Sequence, residues 1–272
     1  MKRAICVLAI GKKYKKMFIE SGIAKYAKLC KADLIVIDSP PDKSYKRSLF
    51  SQKLLLPEIL KGYDEVCYLD LDILISKNAP SIFEEFPDIR SFGAVIDPRG
   101  TSEFVKAWRE KRIITETTTD YFMQRGFSPS DKGKLIGSIN GGVLLFRPKK
   151  IWKIFKDYYY SNHSQGTYTA HEEAPMAFLT QDLDLFFPID RRFNCQLFYK
   201  IKGRGLIESR IERLNGTFLV QYINKAFRIT TGFNMLPTKS YHICISSLLE
   251  TNYILHFAGN YPIPKAVKGA LY

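Results

Sequence analysis

The chain alternates between short apolar runs and longer stretches in which apolar residues recur with helical spacing. Arg3–Ile10 (RAICVLAI) is apolar at nearly every position, the pattern of a strand buried on both faces, and Gly11 ends it. From about Lys13 to Lys31, Met17, Phe18, Ile23, Ala24, Ala27 and Leu29 fall on a rough helical period, which predicts one helix. Asp33–Asp38 (DLIVID) predicts a second strand stopped by Pro40 and Pro41. Ser48–Leu60 predicts a helix stopped by Gly62, and Val66–Asp70 a third strand. Strand, helix, strand, helix, strand with short links predicts an α/β fold with a mostly parallel central sheet flanked by helices. In such sheets ligands collect at the carboxyl ends of the strands, where Gly11–Tyr14, Asp38 and Asp70–Asp72 all fall.

Further along, Ile73–Ser76 predicts a short strand, Pro80–Phe86 a short helix and Phe92–Ile96 another strand. Pro98–Gly137 is the least regular part, with a helical stretch around Glu103–Lys111; long irregular stretches in compact domains are often binding loops. Ser138–Phe146 (SINGGVLLF) predicts a strand with two glycines near its start. Ile151–Tyr160 and Glu172–Thr180 predict helices, and Leu185–Pro188 a strand. Phe218–Ile223 and Phe227–Thr230 look strand-like, Ser240–Leu249 helical, and Asn252–Phe257 predicts a last strand. No linker of distinctive composition divides the chain, so one domain is expected over 1–272. Residues 1–98, which carry the strand ends where ligands collect, are expected as its ligand-binding half, and residues 99–272 as the other half with a closing C-terminal strand.

The chemistry concentrates in Glu65–Ser76, EVCYLDLDILIS. Asp70 and Asp72 sit in an apolar run without a Lys or Arg. Ionised carboxylates in such surroundings are costly unless something positive meets them. In a strand, side chains two apart share a face, so the pair can converge on one cation while Leu71 points into the core. Mg²⁺ or Mn²⁺, which take oxygen ligands and bind diphosphate, suit two carboxylates. His256, in YILHFAG, ends the last predicted strand; an imidazole in the ligand set would favour Mn²⁺.

Composition narrows the partner. The 272 residues are 46% hydrophobic and 14% aromatic, which is globular, and the formal net charge is +14, which suits an anionic ligand. No nucleic-acid-binding signature appears, so nucleic acid is not expected. No apolar run reaches the roughly 18 to 20 residues of a membrane span. The apolar stretch Ala4–Ile10 is too short for a signal peptide, so a cytoplasmic protein is expected, with peripheral contact to an anionic membrane a further option. The five cysteines are scattered without a C-x-x-C, which suggests buried thiols in a reducing compartment.

Six blocks, taken in order, resemble glycosyltransferase family 8, the glycogenin and galactosyltransferase-like enzymes of GT-A fold. They are CVLAIGKKY, FSQKLLLPEIL, DEVCYLDLDILI with the following SIFE, INGGVLLFRP, FPIDRRFNC and ILHFAG. The resemblance implies a Rossmann-like nucleotide-diphospho-sugar transferase fold and a retaining, Mn²⁺-dependent transfer from a UDP-sugar to a hydroxyl of a glycan, glycolipid or protein. It implies that Asp70, Asp72 and His256 hold the metal. It also implies that Ala9, Ile10, Gly11 and Tyr14 line the nucleobase site, with Tyr14 stacking on uracil. Lys53, Leu71, Asn140 and Gly142 would lie near the donor sugar and phosphates, where glycine permits close backbone approach. Asn140, Glu172 and Glu173 are the catalytic candidates, since a carboxylate beside the anomeric carbon can stabilise oxocarbenium-like charge. The chain departs from the family at His171-Glu172-Glu173-Ala174-Pro175, where Asp-Gln is usual. It departs again after Gly259, where Lys265 or Lys268 stands off the spacing of the usual diphosphate-binding lysine. Two rivals remain at this stage. One is a nucleotidyltransferase, for which Gly11-Lys12-Lys13 would be a faint phosphate loop. The other is a non-catalytic basic protein that binds glycans or nucleic acid.

Overall fold

The structure, a computed structural model, describes residues 1–44, 48–97, 118–130, 134–161, 171–202, 222, 226, 238–258 and 261–272. The helical stretch expected near 103–111 and the strands expected at 218–223 and 227–230 lie outside these residues, as does Gly259.

The chain runs β1 (Arg3–Leu8), α1 (Lys12–Ile19), α2 (Ile23–Leu29), β2 (Asp33–Ile37), a 3-10 turn (Ser51–Leu55), α3 (Leu56–Ile59), β3 (Glu65–Leu69), β4 (Ile73–Ser76), α4 (Ile82–Glu85) and β5 (Phe92–Ile96). It continues through α5 (Thr118–Met123), β6 (Ile139–Phe146), α6 (Pro148–Tyr160), α7 (Glu173–Asp182), β7 (Phe186–Pro188), a second 3-10 turn (Arg191–Asn194) and β8 (Cys195–Gln196). Last come α8 (Leu197–Lys202), α9 (Thr238–Thr251), β9 (Ile254–His256) and β10 (Ala270–Leu271).

Six strands form a sheet in the order β2-β1-β3-β6-β5-β7, parallel throughout except that β6 runs against both neighbours. The period of two in the strands decides which side chain meets which layer. Ala4 and Cys6 of β1, Val66 and Tyr68 of β3, and Leu144 and Phe146 of β6 face a core shared with Ile151, Phe155 and Tyr159 of α6. Ile5 and Val7, Cys67 and Leu69, and Val143 and Leu145 face the opposite core, shared with Ile23, Tyr26 and Ala27 of α2. Both faces are therefore covered, which is why these strands read as near-continuous apolar runs. All five cysteines are buried and none forms a disulfide.

A second sheet, in the order β10-β4-β9-β8, was not legible in the pattern. Ile73, Ile75 and Ile254 pack into the α2-side core, while Leu74 and Leu255 face Tyr241, Ile245 and Leu248 of α9. The run Val66–Ser76 is thus two strands in two sheets, and Asp70–Asp72 is the corner between them. The site lies where the sheets meet. Among the described residues no helix is long and apolar enough to cross a membrane.

Two expected helices are corrected. The one expected from Lys13 to Lys31 is broken at Glu20–Gly22 into α1 and α2. A Cβ on Gly22 would lie 2.1 Å from the carbonyl oxygen of Leu271, so the close approach of β10 occupies the space a side chain would need. The helix expected over Ser48–Leu60 is a 3-10 turn followed by one turn of α-helix. Pro57 lacks the N–H that an α-helix would donate to Lys53, and the Leu56 N–H donates to that carbonyl instead.

Candidate metal and nucleotide site

Strand pairing assembles the site. On β3, Asp70 N–H donates to Gly142 O at 2.9 Å, extending the β3–β6 ladder past Leu69↔Val143. On the other side of the corner, Phe257 N–H donates to Asp72 O at 2.7 Å, extending the β4–β9 ladder past Ile73↔His256. β9 also pairs with β8, which sets Gln196 beside His256. The carboxylates of Asp70 and Asp72 and the imidazole of His256 consequently offer one ligand atom each within 4.8 Å of one another. His256 Nε2 lies 3.3 Å from Asp72 Oδ1 and 3.9 Å from Asp70 Oδ2. Asp70 and Asp72 are half-buried, while His256 is buried.

The donor set fits a divalent cation. His256 Nδ1 faces two amide oxygens, Asn140 Oδ1 at 2.9 Å and Asn194 Oδ1 at 3.1 Å, so it donates and leaves the Nε2 lone pair toward the aspartates. Burial works against a charged imidazole, but Asp72 and then Asp70 outweigh it and hold the pKa of His256 above its usual value. For Asp72, burial is likewise overcome by His256, and its pKa lies below the usual carboxylate value.

Lys53 is the positive charge built into the protein. Its side chain is only 4% exposed, and Nζ lies 3.0 Å from Asp70 Oδ1 and 2.7 Å from Glu172 Oε1. It also donates to Gly141 O at 3.3 Å and stands 4.9 Å from the centre of the Tyr68 ring. Burial alone would lower its pKa, but Asp70 and then Glu172 hold it well above the ordinary lysine value. One ammonium serves two carboxylates here. Burial pushes Glu172 up to about 7, against the pull of Lys53 and with a further push from Glu173.

Glu173, the first residue of α7, accepts from Gly141 N–H at 3.0 Å and from Asn140 Nδ2 at 3.4 Å. The register between β5 and β6 shifts between Ala94, opposite Leu144, and Val95, opposite Asn140, so the two glycines sit in a bulge. Close contacts explain both. A Cβ on Gly141 would lie 2.6 Å from Glu172 Oε1, and one on Gly142 would lie 2.4 Å from His256 Cε1 and 2.5 Å from Nδ1. Gly142→Ala must therefore push the imidazole aside. It is expected to weaken Mn²⁺ binding about 10- to 100-fold and to cost about 1–3 kcal/mol. A manganese titration and a urea melt check both; wild-type Mn²⁺ affinity in the variant would contradict the packing argument.

A cavity of about 310 Å³ opens beside the aspartates. Ile10, Lys13, Tyr14, Lys53, Asp70, Leu71 and Asp72 line it, and all of them were named from the sequence, Lys13 within Gly11–Tyr14. Tyr14 is 43% exposed in its wall. Ala9 is buried, its N–H bonded to Ile37 O at 2.8 Å. Gly11, Asn140, Gly142, Glu172 and Glu173 are not among the lining residues. Lys265 and Lys268 are exposed and do not line the cavity either.

Several contributors went unnoticed in the sequence. Phe50, Tyr68, Phe257, Tyr261 and Ile263 also line the cavity. Tyr68 donates to Asp70 Oδ1 at 2.6 Å, and its place two residues ahead of Asp70 on one strand was the available signal. Asn194 sat inside the FPIDRRFNC block without a role. Gln196 and Asp97 had no signal beyond being polar residues at strand ends.

No family model matches the chain, and no curated protein matches it. Among solved structures, it is similar to a glycosyltransferase involved in glycosylation of the major capsid of PBCV-1, at 10% identity over 97% of this chain and 95% of that one, with a TM-score of 0.49. It is also similar to the galactosyltransferase LgtC, at 15% identity over 94% and 87% with a TM-score of 0.44. A third is the glycosyltransferase GlyE of Streptococcus pneumoniae, at 13% identity over 99% of this chain and 57% of that one, with a TM-score of 0.45.

Proposed function

We propose that the chain is a metal-dependent glycosyltransferase that moves a sugar from a UDP-sugar to a hydroxyl of a glycan, glycolipid or protein acceptor. The observation that carries this is the convergence of Asp70, Asp72 and His256, with both aspartates in the wall of an aromatic-lined cavity. Those three residues would hold the cation, and the imidazole favours Mn²⁺ over Mg²⁺. When bound, the cation supplies Lewis-acid stabilisation to a departing diphosphate. Tyr14, half-exposed in the cavity wall, offers a ring face for the base, and Lys13 beside it offers a positive charge for phosphate.

Lys53 and Tyr68 hold Asp70 in a fixed orientation, so one ligand is pre-set before anything binds. Phe50, Phe257, Tyr261 and Ile263 keep the rest of the wall apolar, which excludes water from the bound donor. Glu172 and Glu173 remain the acidic candidates for the sugar side, Glu172 through Lys53 and Glu173 through the Gly141 backbone. Retention of configuration is supported by the sequence resemblance alone.

Calorimetry with UDP, with and without Mn²⁺, tests the proposal. UDP is expected to bind only weakly unless Mn²⁺ is present. UDP binding that is indifferent to the metal, or absent in both cases, would overturn it. With donor sugars, release of UDP supports transfer of the sugar, and release of pyrophosphate would point to nucleotidyl transfer.

A further inference from the structure

Asn140 matched a family position beside the donor sugar, but its amide is fully used inside the protein. Oδ1 accepts from Gly142 N–H at 3.1 Å, from Asn194 Nδ2 at 2.7 Å and from His256 Nδ1 at 2.9 Å. Nδ2 donates to Glu173 Oε1 at 3.4 Å and to Gln196 Oε1 at 3.2 Å. A backbone N–H can only donate, so the Gly142 contact fixes which end of the Asn140 amide is the oxygen. With Oδ1 so identified, His256 Nδ1 must carry a proton to approach it. Asn194 closes the arrangement from the second 3-10 turn, donating to Asn140 and presenting its own Oδ1 to the same imidazole nitrogen at 3.1 Å.

The arrangement is anchored from behind. Gln196, whose oxygen receives Asn140 Nδ2, donates its own amide to Asp97 Oδ2 at 3.3 Å, and Tyr199 donates to Asp97 Oδ1 at 3.2 Å. Asp97, Asn140, Asn194, Gln196 and His256 are all buried. Each amide in this chain has its orientation set by a neighbour that can play one role only, which is how buried polar networks fix a unique geometry.

We infer that Asn140 and Asn194 are positioning residues that clamp His256 in its Nδ1–H tautomer, turning the Nε2 lone pair toward Asp70 and Asp72. Asn140 acts on the reaction through His256 and does not itself touch the donor sugar. The inference deepens the metal-site proposal above and rests on it.

Long-range proton–nitrogen NMR on protein labelled with ¹⁵N-histidine reads the tautomer directly, with the His256 signals assigned by loss in His256→Gln. Neutral His256 in the wild type is expected as Nδ1–H. Asn194→Ala should give a mixture of tautomers and bind Mn²⁺, followed by the electron-spin-resonance signal of free Mn²⁺ in the presence of UDP, about 10- to 100-fold more weakly. Asn140→Ala should do the same where it folds, and the wild-type measurement stands without either variant. An Nε2–H tautomer in the wild type, or an unchanged tautomer and unchanged Mn²⁺ affinity in Asn194→Ala, would overturn the inference. A wild type without Mn²⁺ binding but with the Nδ1–H tautomer, lost in Asn194→Ala, would defeat the metal proposal and leave the clamp supported.

Discussion

Lys53→Met should lose about 3 to 5 kcal/mol of folding stability at pH 7, and distinctly less at pH 5. The substitution keeps most of the side-chain volume and removes the ammonium, with its charge and its hydrogen bond to Gly141 O. It leaves Glu172, buried beside Gly141, and Asp70 without the ammonium that lies within 3.0 Å of both. Breaking a buried pair from one side costs more than the pair itself contributes, because the remaining charge stays desolvated.

The sign of the pH dependence follows from the shifts. Lys53 has its pKa raised on folding, so its contribution is fully present below the unfolded lysine value and is lost only as pH climbs through the higher folded one. Glu172 has its pKa raised from 4.5 to about 7, so its burial works against folding as pH rises through that window. Without Lys53 the pull that lowers it is gone, its pKa rises further, and at pH 5 the folded variant carries it neutral. Urea melts of wild type and variant at the two pH values measure this. An equal loss at both, or a loss under about 1 kcal/mol at pH 7, would mean that the two carboxylates do not depend on Lys53.

How this lysine came to be there shows what the sequence could and could not say. The apolar stretch around it was legible, but it was read as a helix, and neither the 3-10 turn nor the inward turn of Lys53 was. Pro57 converts the preceding residues to a 3-10 turn whose five residues are all buried. That geometry depends on α6 packing across it, a contact from nearly a hundred residues away. The doubly covered sheet was legible because burial on both faces removes polar residues from β1 and β3, and that leaves a mark in composition. The second sheet left almost none. β8 and β10 have two residues each, too few for a period of two to register. Asp70 and Asp72 were singled out by assuming a continuous strand, and they do converge. The convergence arises because the chain turns a corner between two sheets and each sheet supplies one backbone neighbour, Gly142 to Asp70 and Phe257, next to His256, to Asp72. The network behind His256 was illegible for a related reason. Asp97, Asn140 and the pair Asn194 and Gln196 come from three separate segments, and what unites them is strand order, which local pattern does not encode.

That difference between the two aspartates separates ligation from structure. Asp72→Asn is expected to reduce Mn²⁺-dependent release of UDP from donor sugars by about 10³-fold, the several kcal/mol a polarising cation provides. It should change folding stability by only about 1 kcal/mol, since the carboxylate is half-buried and its ion-pair partner is His256. Asp70→Asn should lower release by a similar factor and also cost stability, because Lys53 and Tyr68 both bond to that carboxylate. The pair of variants is read by slow donor hydrolysis with Mn²⁺ alongside urea melts. If Asp72→Asn folds and releases UDP at the wild-type rate with limiting Mn²⁺, the aspartates are structural and the basic, non-catalytic alternative gains. If both variants lose activity and only Asp70→Asn loses stability, one carboxylate serves the metal alone. The other serves the metal and the buried lysine together, so the fold and the reaction share it.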